Sequence, residues 1–321
     1  MPELRDVLDL IRIKNCVMTS IAVLVGVLAV SFNIPLSKTL LATSAAFLIA
    51  GASFAVNDLA DQGPDRDSAR PNPIVDNRVT ANQAAVIAIA FSLTGFVISW
   101  LTNSPITIIL AAISGLLAYI YSAYLKPYHS TIGHLATSYS TGITFVFGWS
   151  IFNGQNLVTF SMVFIMFAVT MTANVSRELI KTIADKEGDS KWGIRTLAVT
   201  KGEKFAARTA LVLIAVAILL SYLPAVTGLF GSAYLLPVTL TNILLFCLAV
   251  TVCLDPSASV ASHVKNDILY AMSIGILAFL VGPHFDYAAP IAIGFEILSV
   301  IAFVAVASRS PVRNLSRYIR L

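Results

Sequence analysis

Runs of apolar residues long enough to cross a bilayer recur along this whole chain, and they leave very few folds open. A helix needs about 20 such residues to cross a ~30 Å hydrocarbon core, and only helices and closed barrels satisfy their backbone there. The runs are read as spans at about residues 16–33, 38–57, 80–101, 105–123, 131–152, 158–181, 205–224, 232–254, 266–282 and 287–307. A chain with 57% hydrophobic and 12% charged residues is not a soluble globular domain. The expected fold is therefore all-α, a polytopic transmembrane helical bundle of nine to ten spans. Cys16, Cys247 and Cys253 sit in or beside these runs without metal-ligand spacing, so they are read as small buried hydrophobes.

Ten spans put both termini and every loop after an even-numbered span on one side of the membrane. Of the 21 Lys and Arg residues, Lys38 alone falls on the other side. The positive-inside rule makes the basic side cytoplasmic. A cell-membrane protein with its chemistry toward the cytoplasm is the expectation. The net charge of +4 is modest, and no nucleic-acid partner is expected.

One acidic stretch stands out against this background. Asn57 to Asp67 packs four aspartates and an asparagine into eleven residues, at the end of the second span. A carboxylate at the bilayer centre costs roughly 2.5–3.5 kcal/mol on insertion scales, so the cluster belongs at the membrane edge or beside a partner. If the helix continues through Asp61, Asn57, Asp58 and Asp61 lie one turn apart and their oxygens converge. Hard oxygens at a membrane edge suit Mg2+, which prefers carboxylates plus substrate phosphate. Asp185 and Asp189 repeat the spacing of Asp61 and Asp65 at an offset of 124 residues for each pair, again after a long apolar run. Equivalent sites in two halves are what an internal duplication leaves behind.

Further polar residues gather near the same span ends. Asn174, Glu178, Lys181 and Asp185 share one helical face, with Arg177 beside it, and such a stripe is expected to face a cavity. Tyr121, Tyr124 and Lys126 cluster at another span end, where an aromatic belt is the ordinary reading of the tyrosines and Lys126 is a candidate phosphate ligand. Arg70 lies in a Pro-broken basic loop after the first acidic motif. The segment from Asp6 to Asn15 reads as an amphipathic lead-in at the interface.

These residues resemble the UbiA superfamily of intramembrane prenyltransferases. Asn57-Asp58-x-x-Asp61-x-x-x-Asp65 is similar to its first signature, Asp185-x-x-x-Asp189 with Gly193-x-x-Thr196-Leu197 to its second, and the Tyr121 to Lys126 loop to a third. The resemblance covers roughly residues 10–282. It implies one integral-membrane prenyltransferase domain over 1–321, with 1–282 as the family-like core and 283–321 as an added span and basic tail.

The resemblance also implies chemistry. Mg2+ would be held by Asn57, Asp58, Asp61, Asp65, Asp185 and Asp189, with Asp61 and Asp185 essential to turnover. The donor would be a prenyl diphosphate, contacted by Arg70, Tyr121, Tyr124, Lys126, Asn174, Arg177 and Lys181. Glu178 is a candidate proton acceptor. Arg177 to Asp185 looks most like the archaeal geranylgeranylglyceryl-phosphate geranylgeranyltransferases, which implies a lipid-like phosphate acceptor and contact with membrane lipids. Because Gly63-Pro64 interrupts the first motif, Asp65 is expected to turn away, with Asp67 as its substitute. The rival readings are prenylation of an aromatic acceptor such as 4-hydroxybenzoate and, more remotely, a cation-dependent transporter.

Overall fold

The computed structural model describes residues 2–67, 71–125, 130–286 and 290–310. Ten long helices follow in order: α1 (Ile13–Val30), α2 (Leu36–Ala60), α3 (Ala81–Leu101), α4 (Pro105–Ile120), α5 (Ser130–Trp149), α6 (Leu157–Ala184), α7 (Glu203–Val226), α8 (Leu235–Leu254), α9 (Ala258–Val281) and α10 (Pro290–Arg309). They match the ten expected spans to within a few residues, apart from α9, which starts eight residues earlier than read. Among the described residues, nine helical segments are long and apolar enough to cross a membrane, and α5 is not one of them. The protein is a multi-pass membrane protein.

Helix starts follow the local chemistry. Thr80 accepts from the Gln83 amide and Gln83 returns the bond, a reciprocal cap that opens α3. Ser104 caps α4 with Pro105 at its first position, and Ser257 caps α9.

The chain forms two compact units, Met1–Asn156 and Leu157–Leu321. In the first, α2 packs on α1, α3 and α4, and α1 packs on α5. In the second, α6 packs on α7 and α9, while α8 packs on α7, α9 and α10. Alanines recur through both cores: Ala42, Ala45 and Ala46 in the first, and Ala206, Ala207, Ala210, Ala217, Ala261 and Ala271 in the second. Lipid tails are as apolar as leucine, so helices in a membrane gain by close backbone approach, which small side chains permit. Large apolar residues also lie on the outside, as Val86, Ile89, Leu93 and Val97 do along α3.

A short helix, Leu4–Leu10, precedes α1. Leu10 is fully buried against Ala55, Ile74, Val79, Ala84 and Ala88. Arg78 clamps the outer side of this helix through Asp9 (2.7 Å) and Asp6 (3.0 Å). The hydrogen bond that Arg78 donates to Asp9, and after it the one it donates to Asp6, raises the Arg78 pKa above its usual value. The lead-in is thus a docked helix, and the chain turns at Arg12 to enter α1.

Candidate active site

Each acidic motif is built at the place where a long helix stops. α2 ends at Ala60, and Asp61 leaves the helical path with φ −89° and ψ 4° before the short helix Gln62–Asp67 begins. α6 ends at Ala184, and Asp185 does the same with φ −97° and ψ 2° before the short helix Lys186–Lys191. The Asp65 amide bonds to the Asp61 carbonyl at 2.9 Å, and the Asp189 amide to the Asp185 carbonyl at 2.9 Å. The duplicated spacing in the sequence is therefore a duplicated backbone geometry.

The break corrects the expectation for Asp65. It falls at Asp61, two residues before Gly63-Pro64. Pro64 sits in the first turn of the following helix, where a missing amide N–H costs no hydrogen bond. Asp65 is consequently buried at 6% exposure, while Asp67 is exposed.

Side-chain partners differ along the first motif. Asn57 Nδ2 donates to Asp61 Oδ2 at 2.8 Å, which joins two of the expected ligands. Asp58 is turned elsewhere: its Oδ1 accepts from Arg12 Nη2 at 2.5 Å. Asp58 remains within electrostatic range of Asp61 and Asp65. Among the described residues no three His, Cys, Asp or Glu side chains share a metal-holding arrangement.

Asn72, fully buried, stitches this region together. Its Nδ2 donates to the Asp58 carbonyl and to Asp65 Oδ2, both at 2.9 Å, and its Oδ1 accepts from the Ile74 amide at 2.9 Å. Asn72→Ala would leave three buried polar groups without that partner, at about 1–3 kcal/mol each. A marked drop in melting temperature is expected, together with reduced turnover from a misplaced Asp65. A variant that melts with the wild type would show that these bonds contribute nothing.

In the second motif, Lys265 Nζ from α9 lies 3.6 Å from Asp185 Oδ1. Asn174 and Glu178 are buried at 3% and 4% exposure, so the polar stripe of α6 is turned inward. Arg177 bridges from Glu178 Oε1 (2.8 Å) to the Lys265 carbonyl (3.0 Å), and Lys181 Nζ lies 4.0 Å from Glu178 Oε2. Glu178 thus ties Arg177 and Lys181 together on one face of α6.

Tyr121 and Tyr124 lie on a widened π-helical turn, Tyr121–Leu125, at the end of α4. Such turns are often found at functional sites because they release the regular bonding ladder. Within it, buried Ser122 Oγ has no hydrogen-bond partner among the described residues. Lys126 and Arg70 lie outside the described residues. Arg12, Asn72 and Lys265 were not legible as site residues, since each acts through a fold-dependent contact. The Arg12–Asp58 contact spans 46 residues of chain.

In the first motif Asn57, Asp61 and Asp65 offer hard amide and carboxylate oxygens, with Asp61 and Asp65 buried at 7% and 6% exposure, and in the second Asp185 and Asp189 offer two more carboxylates. Such a set fits a hard divalent cation.

Comparison with known proteins places this architecture. The profile of the UbiA prenyltransferase family matches residues 17–266, which include both acidic motifs and end before α10. The digeranylgeranylglyceryl phosphate synthase of Methanocaldococcus jannaschii is 31% identical over 283 residues, covering 88% of this chain and 97% of the relative. A solved structure from work on digeranylgeranylglyceryl phosphate synthase in membranes superposes with a TM-score of 0.73 at 31% identity, covering 87% of this chain and 98% of that one. A UbiA homologue from Archaeoglobus fulgidus, bound to GPP and Mg2+, shares the fold with a TM-score of 0.56 at 17% identity over 94% of this chain and 99% of that one. Two acidic motifs built alike at helix ends, inside a profile match that spans most of the chain, make this protein a member of the UbiA prenyltransferase family.

Proposed function

We propose that the protein transfers a geranylgeranyl group from geranylgeranyl diphosphate to geranylgeranylglyceryl phosphate, forming the second ether bond of an archaeal-type membrane lipid. The observation that carries this is the cationic set around the second motif. Arg177, Lys181 and Lys265 are fixed by Glu178, Asp185 and backbone, and Lys186 is paired with Glu203 at 2.5 Å. A diphosphate that is also neutralised by a divalent cation needs few basic partners, so this set suits a pair of substrates that each carry phosphate. The relatives named as digeranylgeranylglyceryl phosphate synthases support the same reading.

Asn57, Asp61 and Asp65 in one half, and Asp185 and Asp189 in the other, would hold Mg2+, which supplies positive charge for the departing diphosphate. Arg177 and Lys181 add fixed charge as the allylic C–O bond breaks and its electron pair leaves with diphosphate. The acceptor hydroxyl oxygen attacks the allylic carbon, and its proton passes to the departing diphosphate. Glu178 keeps Arg177 and Lys181 aimed. Apolar helix walls exclude water from the allylic cation. The motifs face the cytoplasm in this reading, since the basic loops lie on that side.

The test is direct. Purified protein in detergent with labelled geranylgeranyl diphosphate and Mg2+ should prenylate geranylgeranylglyceryl phosphate and leave 4-hydroxybenzoate essentially untouched. The reverse preference would move the protein to an aromatic-acceptor branch of the family.

A further inference from the structure

We infer that Arg12 binds a substrate phosphate, and that Asp58 is its anchor and not a cation ligand. The inference rests on the proposed reading only in requiring a phosphate-bearing substrate.

Arg12 lies at the turn between the short helix Leu4–Leu10 and α1, in the left-handed region with φ 51° and ψ 61°. Few non-glycine residues adopt that conformation, which costs energy that the surroundings must offset. Here the buried Leu10 fixes the chain on one side and α1 on the other. The guanidinium is fixed as well: Nη2 meets Asp58 Oδ1 at 2.5 Å, and the group lies 5.3 Å above the centre of the Phe54 ring. Those are its partners among the described residues, and its side chain remains 41% exposed. A guanidinium offers five N–H donors in a rigid fork, so one bond to a carboxylate leaves an edge able to grip a phosphate. Asp58 lies within electrostatic range of Asp61 and Asp65, which places that edge beside the first motif.

The duplication supplies an independent argument about Asp58. At the 124-residue offset, Asp61 and Asp65 correspond to Asp185 and Asp189, whereas Asp58 corresponds to Thr182. That hydroxyl donates to the Leu179 carbonyl at 2.7 Å. An acid at this place is not part of what the two motifs share. Charge gives the same assignment. Asp58 is 2% exposed and matched by Arg12. A cation bound to the same carboxylate would repel the guanidinium across a few ångströms of low dielectric. Two carboxylates then remain for a cation in each motif.

The experiment uses full-length protein in detergent. Mn2+ binding, followed by the loss of free-ion electron paramagnetic resonance signal, should be within about twofold of wild type in Asp58→Asn. It should weaken about tenfold or more in Asp61→Asn. Arg12→Ala should raise KM by about tenfold or more for whichever substrate it grips, with a smaller change in kcat. Arg12→Lys should recover part of this, as a point charge replaces a fork. Titrating the donor and the acceptor separately identifies the phosphate, and retention of labelled geranylgeranyl diphosphate without acceptor gives a readout that needs no turnover. Melting temperatures identify variants that merely unfold. The inference is overturned if Asp58→Asn loses Mn2+ as Asp61→Asn does, or if folded Arg12→Ala leaves both KM values unchanged. Neither result would alter the acceptor preference of the wild type, which tests the proposed function separately.

Discussion

Replacing either Asp61 or Asp185 by Asn is expected to reduce turnover by about 10²–10³-fold, in line with the loss of one electrostatic contact that matters in a transition state. The two residues occupy one structural role twice. Each is the first residue past a long helix, each bonds its amide to the carbonyl four residues back, and each receives the amide of the next motif aspartate. Removing the charge removes a hard anionic ligand while the backbone break stays in place, because the break depends on φ and ψ and not on the carboxylate. Asn can still accept from Asn57, so the fold should survive Asp61→Asn. Asp67→Asn is the matched control: it is exposed, and its rate should stay close to wild type. Initial rates at saturating cation, read beside melting curves, decide the matter. A folded Asp61→Asn variant within about threefold of wild type would mean that this charge does not serve the leaving group.

The parts of the fold that were legible in the sequence are those set by local chemistry. Span positions follow from apolar runs, and the two motifs stand out because aspartates are costly beside lipid. The helix break was legible too, although not its position: Pro64 marks the first turn of the next helix, and only the stop at Asp61 shows that Asp65 returns to the buried side. What stayed hidden are partners brought together by the fold. Arg12 reads as one more basic residue of an interfacial lead-in until α1 and α2 place it on Asp58. Asn72 reads as a loop residue, yet its amide joins the end of α2 to Asp65. Glu178 reads as a candidate proton acceptor on a stripe facing a cavity, with Arg177 and Lys181 as its neighbours. What the fold adds is the bond from Arg177 to the Lys265 carbonyl.

Helix α5 carries the last expected result, a loss of folding in Gly148→Val. This helix is rich in Ser, Thr and Gly, and hydropathy alone does not rank it with the nine apolar segments. It is nonetheless buried continuously from Thr144 to Ile151, so it meets protein where other helices meet lipid. Its contact with α1 is made backbone to backbone at Gly26 and Gly148. A Cβ on Gly148 would lie 2.7 Å from the Val27 nitrogen, and one on Gly26 would lie 2.7 Å from the Phe145 Cα. Both obstacles are main chain and cannot rotate aside. Ordinary overpacking costs about 1–3 kcal/mol, and a clash that must push two helices apart should reach or exceed the top of that range. Gly115→Val in α4 is the control, since a Cβ there meets nothing within 4 Å. Gly148→Val should lose its monodisperse peak in detergent gel filtration or melt far below wild type, while Gly115→Val should behave nearly normally. If both variants melt alike, α1 and α5 are not held at the distance that the paired glycines require, and the polar composition of α5 needs another cause than burial against α1.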